Sequence, residues 1–227
     1  FDTTGAKTLY VQLMDGFGQM TETRSASITI NPPRKAVVSI GWAYDDVAPG
    51  CVFDSGLGIN RMNYSATART FVWDSGEDAG TVVKGDSVNF NEDIRVGGAT
   101  TGDDSGMYPD SVLEKYVRDN GFPQNTYGHR TASIHLSPGT YRLRLFCSLN
   151  STYKNSTEFM KVQTVVDGVA NVFELPDGYD VIGNLTRWLE QEITVPESGM
   201  FELQWGMENA TKGWMEVPLN IIEIEET

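Results

Sequence analysis

Residues 131–147 read TASIHLSPGTYRLRLFC. Thr131–Leu136 and Thr140–Cys147 each alternate polar and apolar side chains at a period of two, the pattern of a strand with one buried face. Ser137-Pro138-Gly139 between them supplies the fixed φ and the small residue of a tight turn. The pair predicts an antiparallel hairpin. The same kind of segment recurs on both sides: Ala36–Trp42, Met160–Val166, Glu190–Val195, Met200–Trp205 and Leu219–Glu225, with Glu197-Ser198-Gly199 as a second tight turn. Short strands separated by long Gly/Asp/Ser/Asn connections predict an all-β jelly-roll sandwich. One helix is expected, Ser111–Asp119, where Ser111 and Glu114 have capping-box spacing and Gly121 offers a stop.

The first 31 residues have a different texture. Residues 7–14 alternate, Asp15-Gly16-Phe17-Gly18 interrupts, and residues 25–30 alternate again, which predicts a β-hairpin. Asn31-Pro32-Pro33 cannot continue a strand ladder. It marks a boundary between a hairpin unit, residues 1–33, and the main domain, residues 34–227. The chain begins at Phe1 and is expected to be a piece of a longer polypeptide whose other domains are partners of this one.

The chain has 227 residues and a net charge of −14, from 17 Lys+Arg against 31 Asp+Glu. A nucleic-acid binder needs the opposite sign, so nucleic acid is not an expected partner. No run of about 18 apolar residues is present, so membrane insertion by a helix is not expected. The two cysteines, Cys51 and Cys147, form neither a disulfide framework nor a zinc cluster; they read as small buried hydrophobes, with one disulfide as the alternative. Five N-x-[ST] sequons, at Asn63, Asn150, Asn155, Asn184 and Asn209, are expected in polar, exposed loops.

Catalytic constellations are weak. The histidines, His129 and His135, lack assignable Ser and Asp partners. Gly85-Asp86-Ser87 has the opening of a serine esterase motif, but Thr126 and Ala132 stand where a D-x-x-H base motif would need Asp. Asp45-Asp46, Asp103-Asp104 and Glu223–Glu226 are acidic groupings without the fixed separation a glycosidase needs. Asp45, Asp46, Asp103 and Asp104 offer oxygens for a structural calcium ion, without an EF-hand spacing. Aromatic residues crowd the expected loops: Trp42, Tyr44, Tyr64, Tyr108, Tyr127, Tyr153, Tyr179, Trp188 and Trp214. Tyr and Trp combine an apolar face with a polar handle, suited either to a half-exposed binding surface or to plugging the end of a sandwich.

Four stretches, in order, resemble the malectin-like, galactose-binding-type carbohydrate-binding domains: VVSIGWAYDDVAPGCVF (37–53), LEKYVRDNGFPQNTYGHRTASIHLSPGTYRLRLFCSLNSTY (113–153), FMKVQTVVDGV (159–169) and GWMEVPLNIIEIEE (213–226). The first also resembles the opening of sandwich modules attached to pectin-acting esterases. Residues 43–110 match poorly. GAKTLYVQLMDGFGQMTETRSASITI (5–30) is similar to the last two strands of Ig-like modules in bacterial extracellular proteins. The resemblance implies a sandwich that binds polysaccharide or oligosaccharide at loops of one end. By position it implies Tyr44 and Tyr153 as ligand-contacting rings and Glu216, next to Trp214, as the hydroxyl-binding carboxylate, where the family has Asp; Trp214, and Tyr64 in a loop that does not align, are further candidate contacts from the loop aromatics. It implies a non-catalytic module of a secreted or cell-surface multidomain protein acting on plant or algal glycans, pectic ones included. A spacer or adhesion module without a glycan ligand, and a fragment of a polysaccharide lyase or esterase, are the rival readings.

Overall fold

A computed structural model describes residues 5–47, 50–85, 94–121, 130–150, 157, 160–207 and 215–227. The chain forms two compact units, Phe1–Pro33 and Arg34–Thr227. In the first, β1 (Gly5–Val11) pairs antiparallel with β2 (Arg24–Ile30), from Gly5↔Ile30 to Val11↔Arg24. The Asp15 carboxylate accepts the N–H groups of Phe17 and Gln19, both at 2.9 Å, and so shapes the turn. Period two puts Leu9, Val11 and Ile28 on one face of this ribbon and Thr8, Ser25 and Ser27 on the other. Leu9, Val11 and Ile28 are exposed within the structure.

The second unit is a β-sandwich of two six-stranded sheets. One sheet contains β3 (Lys35–Ser39), β4 (Cys51–Asp54), β5 (Ile59–Met62), β11 (Gly139–Phe146), β14 (Leu189–Val195) and β17 (Ile221–Glu226), in the spatial order β14-β11-β17-β3-β5-β4. The other contains β6 (Arg69–Val72), β7 (Asp78–Lys84), β10 (Arg130–Leu136), β12 (Met160–Val166), β13 (Val169–Val172) and β15 (Met200–Met207), in the order β13-β12-β15-β10-β7-β6. Among the described residues, only the β3–β5 pairing is parallel within the two sheets. A smaller sheet is formed by β8 (Ile94–Val96), β9 (Lys115–Gly121) and β16 (Met215–Leu219). The all-β sandwich expected from the sequence is what the chain adopts.

Alternation decides the interior. On β11, Tyr141, Leu143 and Leu145 point between the sheets, as do Ile222 and Ile224 of β17 and Phe201, Leu203 and Trp205 of β15. The outer face of the first sheet carries a second apolar cluster: Val37, Ile59, Phe146 and Ile221, covered by Val112, Leu113 and Trp188. Beside it, Arg144 bonds Glu223 at 2.7 Å, and Lys35 reaches the same carboxylate at 3.0 Å. Burial alone would push the Glu223 carboxyl up, but the hydrogen bonds from Arg144 and Lys35 outweigh it and hold the group below the ordinary range.

The expected helix at 111–119 is a correction. Only one turn forms, α1 (Asp110–Leu113), with Pro109 at its N-cap and no side-chain cap. Lys115–Gly121 is strand instead, paired with both β8 and β16. Tyr116 and Val117 bury their side chains there, and that tertiary gain overrides a capping pattern worth about 1 kcal/mol.

Candidate functional site

The strand registers divide the sandwich into two unlike ends. At one, the connections are short: residues 55–58, 73–77, 137–138, 167–168 and 196–199. Asp167 (φ +48°) and Gly168 (φ +79°) form a two-residue hairpin turn whose left-handed backbone matches strand twist. At the other end, β3, β5, β7, β11 and β15 finish, and β4, β6, β10, β12 and β14 begin. The long connections 40–50, 147–159 and 173–188 join strands there, and 208–214 follows β15 in the sequence. They include Tyr44, Tyr153 and Trp214.

A buried polar knot ties this end together. The Ser148 N–H donates to Asn220 Oδ1 (2.7 Å), and Asn220 Nδ2 donates to the Leu113 carbonyl (2.8 Å). Ser148 Oγ donates to the Asn184 carbonyl (2.6 Å) and accepts the Ala99 N–H (3.1 Å). Asn184 Nδ2 donates to the carbonyls of Cys147 (2.9 Å) and Arg187 (2.8 Å). Ser148, Asn184 and Asn220 are buried, so each bond substitutes for lost water and an unmade one would carry the full desolvation cost. Two glycines permit the close approach. A Cβ on Gly98 would lie 2.1 Å from the Leu113 carbonyl oxygen, and one on Gly41 would lie 2.3 Å from the Tyr116 nitrogen.

Against this scaffold the connection 173–188 leaves an open depression of about 390 Å³, lined by Gly178, Asp180, Ile182, Asn184, Leu185 and Arg187 among others. Its neighbour is the connection that contains Tyr153. Leu149 bridges Ile182, and Gly183 N–H donates to the Leu149 carbonyl at 2.9 Å. Thr157 Oγ1 donates to Asp180 Oδ1 at 2.6 Å and accepts the Val181 N–H at 3.1 Å. Leu149 and Thr157 are therefore stitched to residues 180–183.

The residues singled out from sequence fare differently. Tyr153 and Trp214 lie outside the described residues, as does the side chain of Tyr44, whose backbone begins the 3₁₀ turn Tyr44–Asp46. Tyr64 is a core residue, 1% exposed. Its hydroxyl donates to the Thr131 carbonyl at 2.6 Å, and its ring meets Trp205 edge-on at 5.6 Å. No face is left for a ligand to stack on, so the ligand-contact reading of Tyr64 is corrected. Glu216 is 7% exposed. Oε2 accepts the Tyr116 hydroxyl at 2.9 Å and Oε1 pairs with Arg118, so the carboxylate holds β16 to β9. Desolvation and the Glu216 charge raise the Tyr116 phenol well above its usual range.

Other loop aromatics pack inward. Trp42, Tyr179 and Trp188 are buried. Trp42 donates to Ser39 Oγ at 2.9 Å under the cations of Arg61 and Lys115, whose charges sit 5.1 and 5.5 Å from its ring. The sequon reading is also corrected at Asn184, whose amide is buried and doubly committed in the knot, and Asn63 Nδ2 donates to the Trp42 carbonyl. Asn150 is exposed; Asn155 and Asn209 lie outside the described residues. Cys51 and Cys147 are both free; burial pushes their thiols up to about 11 and about 12, which makes both poor nucleophiles at neutral pH.

Among the calcium candidates, Asp103 Oδ1 accepts the Ser105 N–H and Asp104 Oδ1 accepts the Asp110 N–H. The Asp110 carboxylate accepts two backbone N–H groups, Thr101 and Gly102, which hold it below its usual range. The loop thus closes on itself. No group of three metal-capable side chains occurs among the described residues. His135 is exposed on β10, while His129, Asp86 and Ser87 lie outside the described residues. The depression itself was not legible in the sequence. Its trace there is Asp177-Gly178 and Gly183-Asn184, two turn signals in the connection that also contains Tyr179, Trp188 and the Asn184 sequon.

No protein-family profile matches the chain, and no curated protein matches it in sequence. Solved structures similar at low identity include the following three. A β-glucuronidase from Bacteroides uniformis is 10% identical with a TM-score of 0.43, over 100% of this chain and 23% of that one. A chain of the complex of the plant peptide RALF23 with FER and LLG2 is 15% identical with a TM-score of 0.49, over 88% and 51%. The ANX1 ectodomain from Arabidopsis thaliana is 14% identical with a TM-score of 0.47, over 96% and 53%. The chain spans from about a quarter to about half the length of these structures.

Proposed function

We propose that residues 34–227 are a non-catalytic carbohydrate-binding module of a secreted or cell-surface multidomain protein, which holds a plant or algal polysaccharide at the long-loop end of the sandwich. The observation that supports this reading is that β3, β11 and β15 finish at one end, and the segments that follow them in sequence contain Tyr44, Tyr153 and Trp214. A pyranose presents an apolar C–H face and a rim of hydroxyls; aromatic rings suit the face, and carboxylates and amides suit the rim. Contacts of this kind contribute about 1 kcal/mol each, so a Kd of about millimolar to micromolar is expected for one module. Linkage to other modules in one polypeptide would raise the avidity. In the same reading residues 1–33 end an Ig-like neighbour.

Affinity electrophoresis through gels containing soluble polysaccharides tests this directly. Retardation by at least one polymer, weakened at least several-fold by Tyr153→Ala at unchanged thermal stability, supports the proposal. Equal migration of both proteins on every polymer contradicts it. The spacer reading also has an observation in its favour: Trp42, Tyr64, Tyr179 and Trp188, all drawn from the expected loops, are buried. It predicts no retardation on any polymer.

A further inference from the structure

We propose that the depression on the connection 173–188 is a subsite for one neutral pyranose unit, with Asp180 and Arg187 as its specificity-determining pair. The inference rests on the carbohydrate-binding reading and adds a location and a ligand charge to it.

The floor and the rim have different chemistry. Ile182 and Leu185 are partly buried apolar residues within the lining, a surface for the C–H face of a sugar ring. Asp180 and Arg187 are exposed on the rim. Asp180 commits one oxygen: Oδ1 accepts the Thr157 hydroxyl and the Ile182 N–H (3.0 Å). Oδ2 faces no donor among the described residues and remains available to accept a hydroxyl proton. Arg187 anchors Nη1 on the Asp177 carbonyl at 2.6 Å, which leaves further guanidinium N–H groups as donors. Acceptor and donor on one rim suit adjacent sugar hydroxyls, each of which both donates and accepts.

The site is also prebuilt. Asn184 under the depression accepts the Thr186 and Arg187 N–H groups on Oδ1 (3.3 and 2.8 Å) while its Nδ2 is held by two carbonyls. The backbone that carries Arg187 is thus fixed from below, so little ordering entropy is left to be lost on binding.

Charge decides between neutral and acidic sugars. In the lining the Asp180 carboxylate and the Arg187 guanidinium offset each other, so the chain's net charge of −14 sets the sign of the field that a ligand meets. A uronate carboxylate placed here would meet a net negative field, whereas a neutral hexose pays no such penalty. Pectic acid chains, one of the glycan classes the sequence resemblance suggested, are therefore disfavoured at this subsite.

The test uses the full chain and four variants: Asp180→Asn, Arg187→Gln, Tyr153→Ala and Trp214→Ala. Asp180→Asn keeps the Oδ1 acceptor that holds Thr157 and Ile182 and replaces the ligand-facing acceptor with a donor. Affinity electrophoresis is run on neutral β-glucan, galactan and mannan, and on polygalacturonate, in chelator at low and high salt. The expected result is retardation by at least one neutral polymer, none by polygalacturonate, and a loss of at least fivefold in Asp180→Asn and in Arg187→Gln at unchanged thermal midpoint. Stronger retardation by polygalacturonate than by any neutral polymer overturns the inference. So does wild-type retardation of Asp180→Asn and Arg187→Gln while Tyr153→Ala or Trp214→Ala loses it, an outcome that leaves the carbohydrate-binding reading standing. Absence of retardation on all four polymers overturns both.

Discussion

The two ends of the sandwich solve the same problem differently. At the short-turn end, backbone chemistry suffices: Asp167-Gly168 supplies two left-handed residues, Gly199 (φ +69°) a third, and Pro138 a fixed φ. Neighbouring strands there leave and return with little room for anything but the turn. At the long-loop end, propensity alone would not order the connections. The described parts of them are tied by side chains that reach across: Ser148, Asn184 and Asn220 link residues far apart in sequence through a shared set of backbone partners. Local order at one end and networked order at the other make the second the place where surface chemistry can vary without disturbing the strands.

The difference can be broken most severely at Gly98. Gly98→Val would drive a side chain into the Leu113 carbonyl and Asn220; loss of about 3 kcal/mol or more, or failure to fold, is expected in urea denaturation. Asn220→Ala leaves the Ser148 N–H and the Leu113 carbonyl buried without partners. At about 1–3 kcal/mol for each orphaned group, a cost of about 2–6 kcal/mol is expected from the same measurement.

Glu223 gives a pH-dependent test outside either end. Its folded pKa is depressed, so its contribution is present above the unfolded carboxyl range of about 4.3 and is lost as pH falls through the lower folded value. Glu223→Gln should be less stable at pH 7 by about 3 kcal/mol. It should also show a shallower loss of stability below about pH 5 than the native chain, in urea titrations at a series of pH values. An unchanged acid limb would remove Glu223 from the account.

The smallest effect belongs to the short-turn end. Gly168→Ala meets no neighbour within 4 Å and pays only for a positive φ, about 1 kcal/mol. Its thermal midpoint should drop slightly while polysaccharide retardation stays at the native level. A retardation defect in this variant would erase the distinction between the ends.

Much of the sandwich was legible because alternation is a local signal. Residues 131–147 fix a hairpin from their own pattern, and Met160–Val166 forms with the expected bounds. Residues 51–62, 69–84 and 115–121 were not read as strands. Cys51–Asp54 is half-buried throughout and Lys115–Gly121 packs Tyr116 and Val117 together, so neither shows a clean period of two. For the candidate site, the sequence shows a residue's chemical type but not its orientation. Tyr64 and Trp188 are aromatic and beside long connections, yet Tyr64 OH finds the Thr131 carbonyl and Trp188 packs on Phe146 at 5.4 Å. Whether a ring faces solvent or core depends on partners distant in sequence. Asn184 shows the same limit: a sequon by pattern, and by structure the buried pin of a loop.

Hydrogen–deuterium exchange with and without a saturating neutral oligosaccharide, taken from the polymer that retards the chain best, tests the central claim most directly. The account predicts slowed exchange in residues 147–150 and 178–187, with no change at 55–58, 167–168 or 196–199. Protection confined to the short-turn end, or none anywhere at saturation, would contradict it.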